Sequence, residues 1–194
     1  RERFPNLKLL RITCWRSRES LRNVQVGLPA TLETLELYSI VNATHYLQAS
    51  LANGACPRLS VVKFSDVDDV SGVMGAAPTI REIHVAETFF SPGPTLNLDT
   101  LVSACAPNLV RLSVPRPSPF GSCTTFPKLR QLIVQRDDVG DQLPTKALIA
   151  GCPRLHRVEA PGIKNDAAFP SCEWTTGLNS RQPATKTICA FDSR

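Results

Sequence analysis

The hydrophobic positions of this chain repeat in a short unit, in which a proline precedes three spaced aliphatic residues in the form Pro-x-Leu-x-x-Leu-x-Leu. Seven copies occur, with aliphatic substitutes at some positions and one extra residue after the second proline. Their prolines are Pro5, Pro29, Pro57, Pro78, Pro107, Pro127 and Pro153. The first aliphatic position recurs after 20 to 29 residues. This period is typical of stacked repeats, in which each unit buries its apolar face against its neighbours.

The spacing inside each unit predicts a short β-strand. The last two aliphatic positions lie two residues apart, so both side chains point to one face of a strand, while the first enters the core from the preceding turn. Between the strands, residues 44–52, 98–104 and 146–150 have the apolar spacing of helices, and the proline that follows each one ends the helix. Residues 115–126 contain three prolines and are predicted to be extended.

Length and composition fit one soluble domain of 194 residues, with 42% apolar and 20% charged residues. We expect the repeats to occupy residues 1–163, with an atypical cap and tail over 164–194. No apolar run approaches the length needed to span a bilayer, so no membrane contact is expected. Because the chain opens on Arg1-Glu2-Arg3-Phe4, without Met or a leader, we expect it to be a fragment of a longer protein.

Charge and cysteine content narrow the class of partner and the compartment. The net charge of +5 is not gathered into a basic block, and aromatic residues make up only 6% of the chain, which disfavours nucleic acid. Seven cysteines form no Cys-x-x-Cys pair, and an odd number fits a closed disulfide framework poorly. We therefore expect a reducing, intracellular location, either cytoplasmic or nuclear.

No motif for catalysis, metal or cofactor binding is visible in the sequence. His45, His84 and His156 lie in different repeats, none with a metal-ligand spacing to another residue. Residues 66–72 depart from a calcium loop, and we expect a turn with carboxylates that cap a helix. There is no nucleophile elbow or glycine-rich phosphate loop, although the sequence alone does not exclude a catalytic triad whose residues are far apart in the chain. We expect a protein that is not an enzyme and that has no catalytic residues, metal or cofactor.

Three units carry a cysteine beside the proline turn. The segments are Cys56-Pro57-Arg58-Leu59, Cys152-Pro153-Arg154-Leu155 and, displaced by one residue, Cys105-Ala106-Pro107-Asn108-Leu109. We expect these thiols to pack as small hydrophobic groups, the alternative being a redox role. With these motifs, residues 4–163 resemble the leucine-rich repeats of F-box/leucine-rich-repeat proteins.

That resemblance implies an α/β fold: a curved solenoid of about seven repeats, with parallel strands on the concave face and irregular helices or extended segments on the convex face. It also implies a role in recruiting substrates to a ubiquitin ligase complex. No F-box is visible in the chain, which enters the first repeat at once.

The residues between the buried aliphatics should point outward and meet a partner on the concave face. They form two rows: Leu9, Thr34, Val61, Glu82, Arg111, Gln131 and Arg157, then Arg11, Glu36, Lys63, His84, Ser113, Ile133 and Glu159. Mixed charge with exposed apolar members suits a protein ligand. We predict protein contacts at Arg11, Tyr38, Lys63, Glu82, His84, Arg111, Gln131, Ile133 and Arg157.

A basic rim is predicted where the strands begin. It consists of Lys8, Arg58, Arg81, Lys128, Arg130 and Arg154, against the single acid Glu33. The rim is interpreted either as an ordinary solvated edge or as a contact for an acidic protein surface, and less readily for phosphates.

Three functional hypotheses follow from these observations. The first is a non-catalytic adaptor that recognises substrates and acts as part of a larger complex. The second is a structural scaffold subunit held permanently in a large assembly, and the third is a scaffold associated with nucleic acid through the basic rim.

Overall fold

The computed structural model describes residues 4–13, 27–40, 47, 51–86, 97–115, 125–135, 150–159, 173–175 and 186–187. The chain forms two compact units, Arg1–Cys105 and Ala106–Arg194. Each unit is built on a sheet whose strands follow one another in chain order.

The described residues of the first unit form four parallel strands. They are β1 (Leu9–Thr13), β2 (Thr34–Ile40), β3 (Val61–Val67) and β4 (Glu82–Ala86). Their register aligns the same position of each sequence repeat, so that Leu35 pairs with Val62 and Val62 with Ile83. The parallel strands predicted from the alternating pattern are therefore confirmed in this unit.

The second unit begins with the parallel strands β5 (Arg111–Val114), β6 (Gln131–Val134) and β7 (Arg157–Glu159). A further strand, β8 (Glu173–Thr175), pairs parallel with β7, and β9 (Lys186–Thr187) pairs antiparallel with β8. Regular pairing thus continues into the segment that was predicted to be an atypical cap, most of which lies outside the described residues.

The core is formed by the aliphatic positions of the repeats. The inward residues of β2 to β7 are buried, among them Leu35, Leu37, Val62, Phe64, Ile83, Leu112, Leu132 and Val158. Full burial of one such side chain stabilises the fold by roughly 1.5–3 kcal/mol, so the repeated positions are the main source of stability. In β1 the equivalent residues Leu10 and Ile12 are only half-buried.

In four repeats the proline directly follows the acceptor carbonyl of a tight turn that leads into the strand. The Leu59 N–H donates to the Cys56 carbonyl at 3.1 Å, and the Leu155 N–H donates to the Cys152 carbonyl at 3.0 Å. Proline suits the position after the acceptor because its φ is already fixed and its missing N–H is not needed there. The carbonyl just before a strand accepts two N–H groups from the next repeat: the Lys8 carbonyl accepts those of both Glu33 and Thr34.

Short helices connect some of the strands. Helix α1 (Leu98–Cys105) confirms the helix predicted at 98–104 and buries Leu98, Leu101, Val102 and Cys105. Two 3-10 helices, Ala52–Gly54 and Ser71–Ala76, lie before β3 and β4. Most of the helices predicted at 44–52 and 146–150, and of the extended segment at 115–126, lies outside the described residues.

Both units thus have an open, mainly parallel sheet with few helices, an arrangement compatible with an α/β solenoid. Within the described parts of the chain, no helix has the length and apolar character needed to cross a bilayer.

Candidate functional site

The first unit has a strand face made by the residues that alternate with the core positions. Strand pairing aligns Arg11 with Glu36, Glu36 with Lys63, and Lys63 with His84, one residue from each strand. Leu9, Thr34, Val61 and Glu82 form the second row. We call these two rows, with Tyr38, the unit 1 strand face. The structure therefore brings together the five predicted contact residues of this unit.

Glu36 lies at the centre of this face and is buried, with only 2% of the residue exposed. Its Oε2 lies 2.6 Å from Arg11 Nε, and its Oε1 lies 2.9 Å from Lys63 Nζ. The Tyr38 hydroxyl donates to Oε2 at 3.4 Å, and the Arg11 guanidinium lies 5.4 Å from the centre of the Tyr38 ring. The prediction that Glu36 points outward to solvent was wrong because the flanking side chains cover its carboxylate.

The surroundings of Glu36 favour its charged form. The hydrogen bond from Lys63 lowers the pKa of the carboxyl most strongly, burial opposes that shift, and Arg11 lowers the pKa further. The hydrogen bond and charge of Glu36 in turn raise the pKa of Arg11. Opposite charges at this distance stabilise each other, so the three groups act as one ionic cluster.

Two further acidic residues of the first unit, Glu82 and Glu33, also have a polar partner within it. Glu82 Oε2 lies 3.2 Å from His84 Nε2, so these two predicted contact residues meet each other on β4. At the rim, Lys8 Nζ lies 3.1 Å from Glu33 Oε1. Arg58 and Arg81, the remaining rim residues of this unit, are exposed. Much of the charge on this face is therefore balanced internally.

The second unit has its own strand face over β5, β6 and β7. Pairing aligns Arg111 with Gln131 and Gln131 with Arg157, and in the second row Ser113 with Ile133 and Ile133 with Glu159. We call these six residues the unit 2 strand face; they include the four predicted contacts of this unit. Ser113 is buried, contrary to the prediction, and its hydroxyl accepts a hydrogen bond from Gln135 Nε2 at 3.0 Å.

Glu159 is the acceptor on which this second face converges. Its Oε1 lies 2.6 Å from Arg157 Nε, an ion pair in which the Nε–H is not directed at the carboxylate. Gln131 Nε2 donates to the same oxygen at 3.0 Å. The Nε of Arg111, like that of Arg157, is buried and has no hydrogen-bond partner, but Arg111 also has no ion pair among the described residues. A buried donor without an acceptor is unusual, since burial removes the water that would otherwise satisfy it.

The rim of the second unit consists of exposed cations. Lys128, Arg130 and Arg154 are all exposed, and Lys128 Nζ donates to Asn108 Oδ1 at 2.7 Å. Lys128 and Arg154 directly follow the turn prolines Pro127 and Pro153, and Arg130 lies just before β6. All six rim residues are exposed.

The three turn cysteines are buried and form no disulfide. Burial raises the pKa of Cys105 to about 12 and that of Cys152 to about 11, where a hydrogen bond from the Phe126 backbone partly opposes the shift. A thiol with such a raised pKa is a poor nucleophile at neutral pH, which favours the packing role over the redox role. Among the described residues, no group of His, Cys, Asp or Glu is arranged to hold a metal ion.

In the turn at 66–72, a carboxylate contacts the first residue of the second 3-10 helix, although the N-cap position itself is Val70 and not the carboxylate that the sequence predicted. Asp69 Oδ1 accepts the Ser71 backbone N–H at 2.9 Å, and Oδ2 accepts the Ser71 hydroxyl at 2.7 Å. Asn97 Nδ2 also donates to Asp69 Oδ1, at 3.0 Å. Asp69 therefore stabilises the start of the second 3-10 helix.

Comparison with protein-family models, curated proteins and solved structures found no match for this chain. The geometry and charge of the two strand faces are therefore the basis for inferring a function.

Proposed function

We propose that the chain is a non-catalytic protein-binding module of the leucine-rich-repeat type, whose strand faces are the contact surface. In the form that the sequence resemblance suggests, it would recognise the substrates of an F-box-like ubiquitin ligase complex. Such a module needs an ordered surface rather than a reaction centre, and its specificity lies in the side chains that the strands present.

The in-register rows of side chains are the observation that carries this proposal. Neighbouring strands lie about 4.8 Å apart, so residues at one repeat position form a regular row across each sheet. The rows combine charged groups with apolar ones, such as Val61 in the first unit and Ile133 in the second. This mixed chemistry supports a protein ligand, because protein interfaces combine apolar contacts with hydrogen bonds.

One feature of the first unit favours the alternative of a permanently assembled subunit. On β1, Leu9 is 49% exposed, and the inward residues Leu10 and Ile12 are only half-buried. Exposed apolar side chains are typical of surfaces that stay covered in a stable complex. A permanent neighbour packed on β1 would bury them.

Site-specific photo-crosslinking tests the proposed surface. A photoreactive residue at Val61 or Ile133, on the strand faces, should capture a partner in cells, whereas one at the exposed helix residue Thr100 should not. The captured protein would be identified and then purified for direct titration. Equal capture from Thr100 would argue against the strand faces as the contact surface.

The fate of the captured protein distinguishes the two forms of the proposal. A substrate of a ubiquitin ligase should exchange on and off the chain, and its ubiquitylation should fall when the chain is removed. A structural partner should instead stay bound through purification, with its ubiquitylation unchanged.

A further inference from the structure

The two strand faces differ in how far their charges are neutralised within the fold. In the first unit, Arg11 and Lys63 share Glu36, and Glu82 Oε2 lies within hydrogen-bond distance of His84 Nε2. An ion already paired in the free protein gains less from a partner's charge, because the existing pair must be broken or shared. The charged side chains of the unit 1 strand face are therefore less available to form ion pairs with a partner protein.

The unit 2 strand face contains one cation, Arg111, that has no ion pair among the described residues. Glu159 Oε1 is shared between Arg157 and Gln131, and no ion pair or hydrogen bond reaches the Nε of Arg111 from the described residues. That Nε is buried, so part of the desolvation cost of binding an anion is already borne by the folded chain. The rest of the Arg111 side chain is partly exposed, which leaves its donor fork accessible to a ligand.

The charge balance around Arg111 points to the same conclusion. The described residues of the second unit include six basic residues and two acidic ones, Glu159 and Glu173, the latter aligned with Arg157 on β8. Five of the basic residues lie between 106 and 159: Arg111, Lys128, Arg130, Arg154 and Arg157. All five lie on the strand face or the adjoining rim. The described residues of the first unit instead include five basic and seven acidic side chains, so the excess of positive charge belongs to the second unit.

We propose that the unit 2 strand face binds an acidic segment of a protein partner, with a partner carboxylate paired to the guanidinium of Arg111. This inference rests on the proposed protein-binding function and names the chemistry of the partner. The planar donor fork of arginine suits bidentate pairing with a carboxylate. Arg111 and Arg157 lie two strands apart, or about 10 Å, so a second carboxylate at that distance would reach Arg157 as well.

A peptide fits this face better than a nucleic acid. Glu159 lies within the face and would repel a continuous row of phosphates, whereas a peptide can place its carboxylates away from it. Ile133 offers an apolar contact between the charged groups. Phe126, the one Phe, Tyr or Trp side chain among the described residues of 106–159, is buried, so it offers no ring on which a base could stack.

Peptide selection against the full chain tests the proposal and does not require the partner to be identified. Random dodecapeptides displayed on phage would be selected on the immobilised protein, and the peptides recovered should be enriched in Asp and Glu. A synthetic copy of the tightest peptide should bind Arg111→Gln at least about tenfold more weakly than the native chain. Arg81→Gln, an exposed rim change in the first unit, should alter its binding by less than about twofold.

Two further measurements distinguish the carboxylate site from the alternatives. Replacing the acids of the selected peptide by Asn and Gln should weaken its binding as much as Arg111→Gln does, while a thermal melt shows that this variant is folded. Selected peptides without acidic enrichment, or unaffected by Arg111→Gln, would overturn the carboxylate site but leave the protein-binding function standing. Recovery of no peptide would count against both. Tighter binding of a short single-stranded oligonucleotide, lost in Arg111→Gln, would overturn the proposal in favour of nucleic acid.

Discussion

The buried carboxylate of Glu36 allows the energetics of the strand face to be tested by one substitution with a matched control. Glu36→Gln keeps the shape of the side chain but removes the charge shared by Arg11 and Lys63. Glu33→Gln removes a carboxylate from the same repeat, where it pairs with Lys8 at the rim. The two variants therefore differ mainly in the burial and number of the ionic contacts that are lost.

The expected loss in the free energy of unfolding follows, for each variant, from how exposed the paired side chains are. Lys8 and Glu33 are 70% and 43% exposed, and a pair in such contact with water contributes less than about 1 kcal/mol. Glu36 is buried and has two charged partners, but Arg11 and Lys63 are 60% and 40% exposed and stay hydrated when Glu36 is replaced. The loss should thus fall below the roughly 3–5 kcal/mol of a fully buried broken pair, and we expect about 1–2 kcal/mol.

Urea unfolding followed by circular dichroism measures both losses, provided that the slope against urea is unchanged. The folded-state pKa of Glu36 is lowered, so its stabilising contribution is present above the unfolded pKa of about 4.3 and is lost as the pH falls through the folded value. The difference between native chain and Glu36→Gln should therefore be full at pH 7 and shrink below about pH 4. Equal losses for Glu36→Gln and Glu33→Gln, or a difference that persists in acid, would refute this account.

Three further substitutions or measurements test the packing of the described residues. A Cβ at position 75 would lie 2.5 Å from the carbonyl oxygen of Leu51, so Gly75→Ala should lower the free energy of unfolding by about 1–3 kcal/mol. Gly27→Ala, where a Cβ meets nothing within 4 Å, should leave stability unchanged or raise it by up to about 1 kcal/mol in the same urea titration. Asp66 has a φ of 56°, which is strained for a residue with a Cβ, and a buried Oδ1 without a partner. Asp66→Gly should therefore raise the midpoint of thermal unfolding, and a lower midpoint would contradict backbone strain at this position. Cys105 should react with a thiol reagent far more slowly in the native chain than in urea, since its thiol is buried and its pKa is raised to about 12; equal rates would place it outside the core.

The alternation of aliphatic and polar residues was sufficient to predict the strands and their register. A period of two fixes which side chains share a face, so the alignment of Arg11 with Glu36 and Lys63 follows once the repeats are superposed. The same alignment, with a carboxylate flanked by two cations, could have indicated the burial of Glu36. Its exposure was mispredicted because alternation describes direction along a strand and not the cover that long neighbouring side chains provide.

Other features depend on side-chain conformations that the sequence pattern does not fix. Ser113 is buried because Gln135, just beyond β6, reaches back to its hydroxyl. Likewise, Glu159 could in principle have served Arg111, yet its carboxylate is taken by Arg157 and Gln131. Which arginine is left unpaired is decided by these local geometries, so the difference between the two strand faces became visible only in the structure.

The most direct test of the central claim is the affinity of the partner captured by photo-crosslinking for a chain whose unit 2 strand face has been reversed in charge. Arg111→Glu and Arg157→Glu together should weaken binding by at least about 2 kcal/mol, or roughly thirtyfold, if either arginine contacts the partner away from water. Thr100→Glu, on the exposed side of α1, should leave the affinity unchanged. Thermal melts of all variants would verify folding. Unchanged affinity in a folded double variant would contradict the assignment of partner binding to this face.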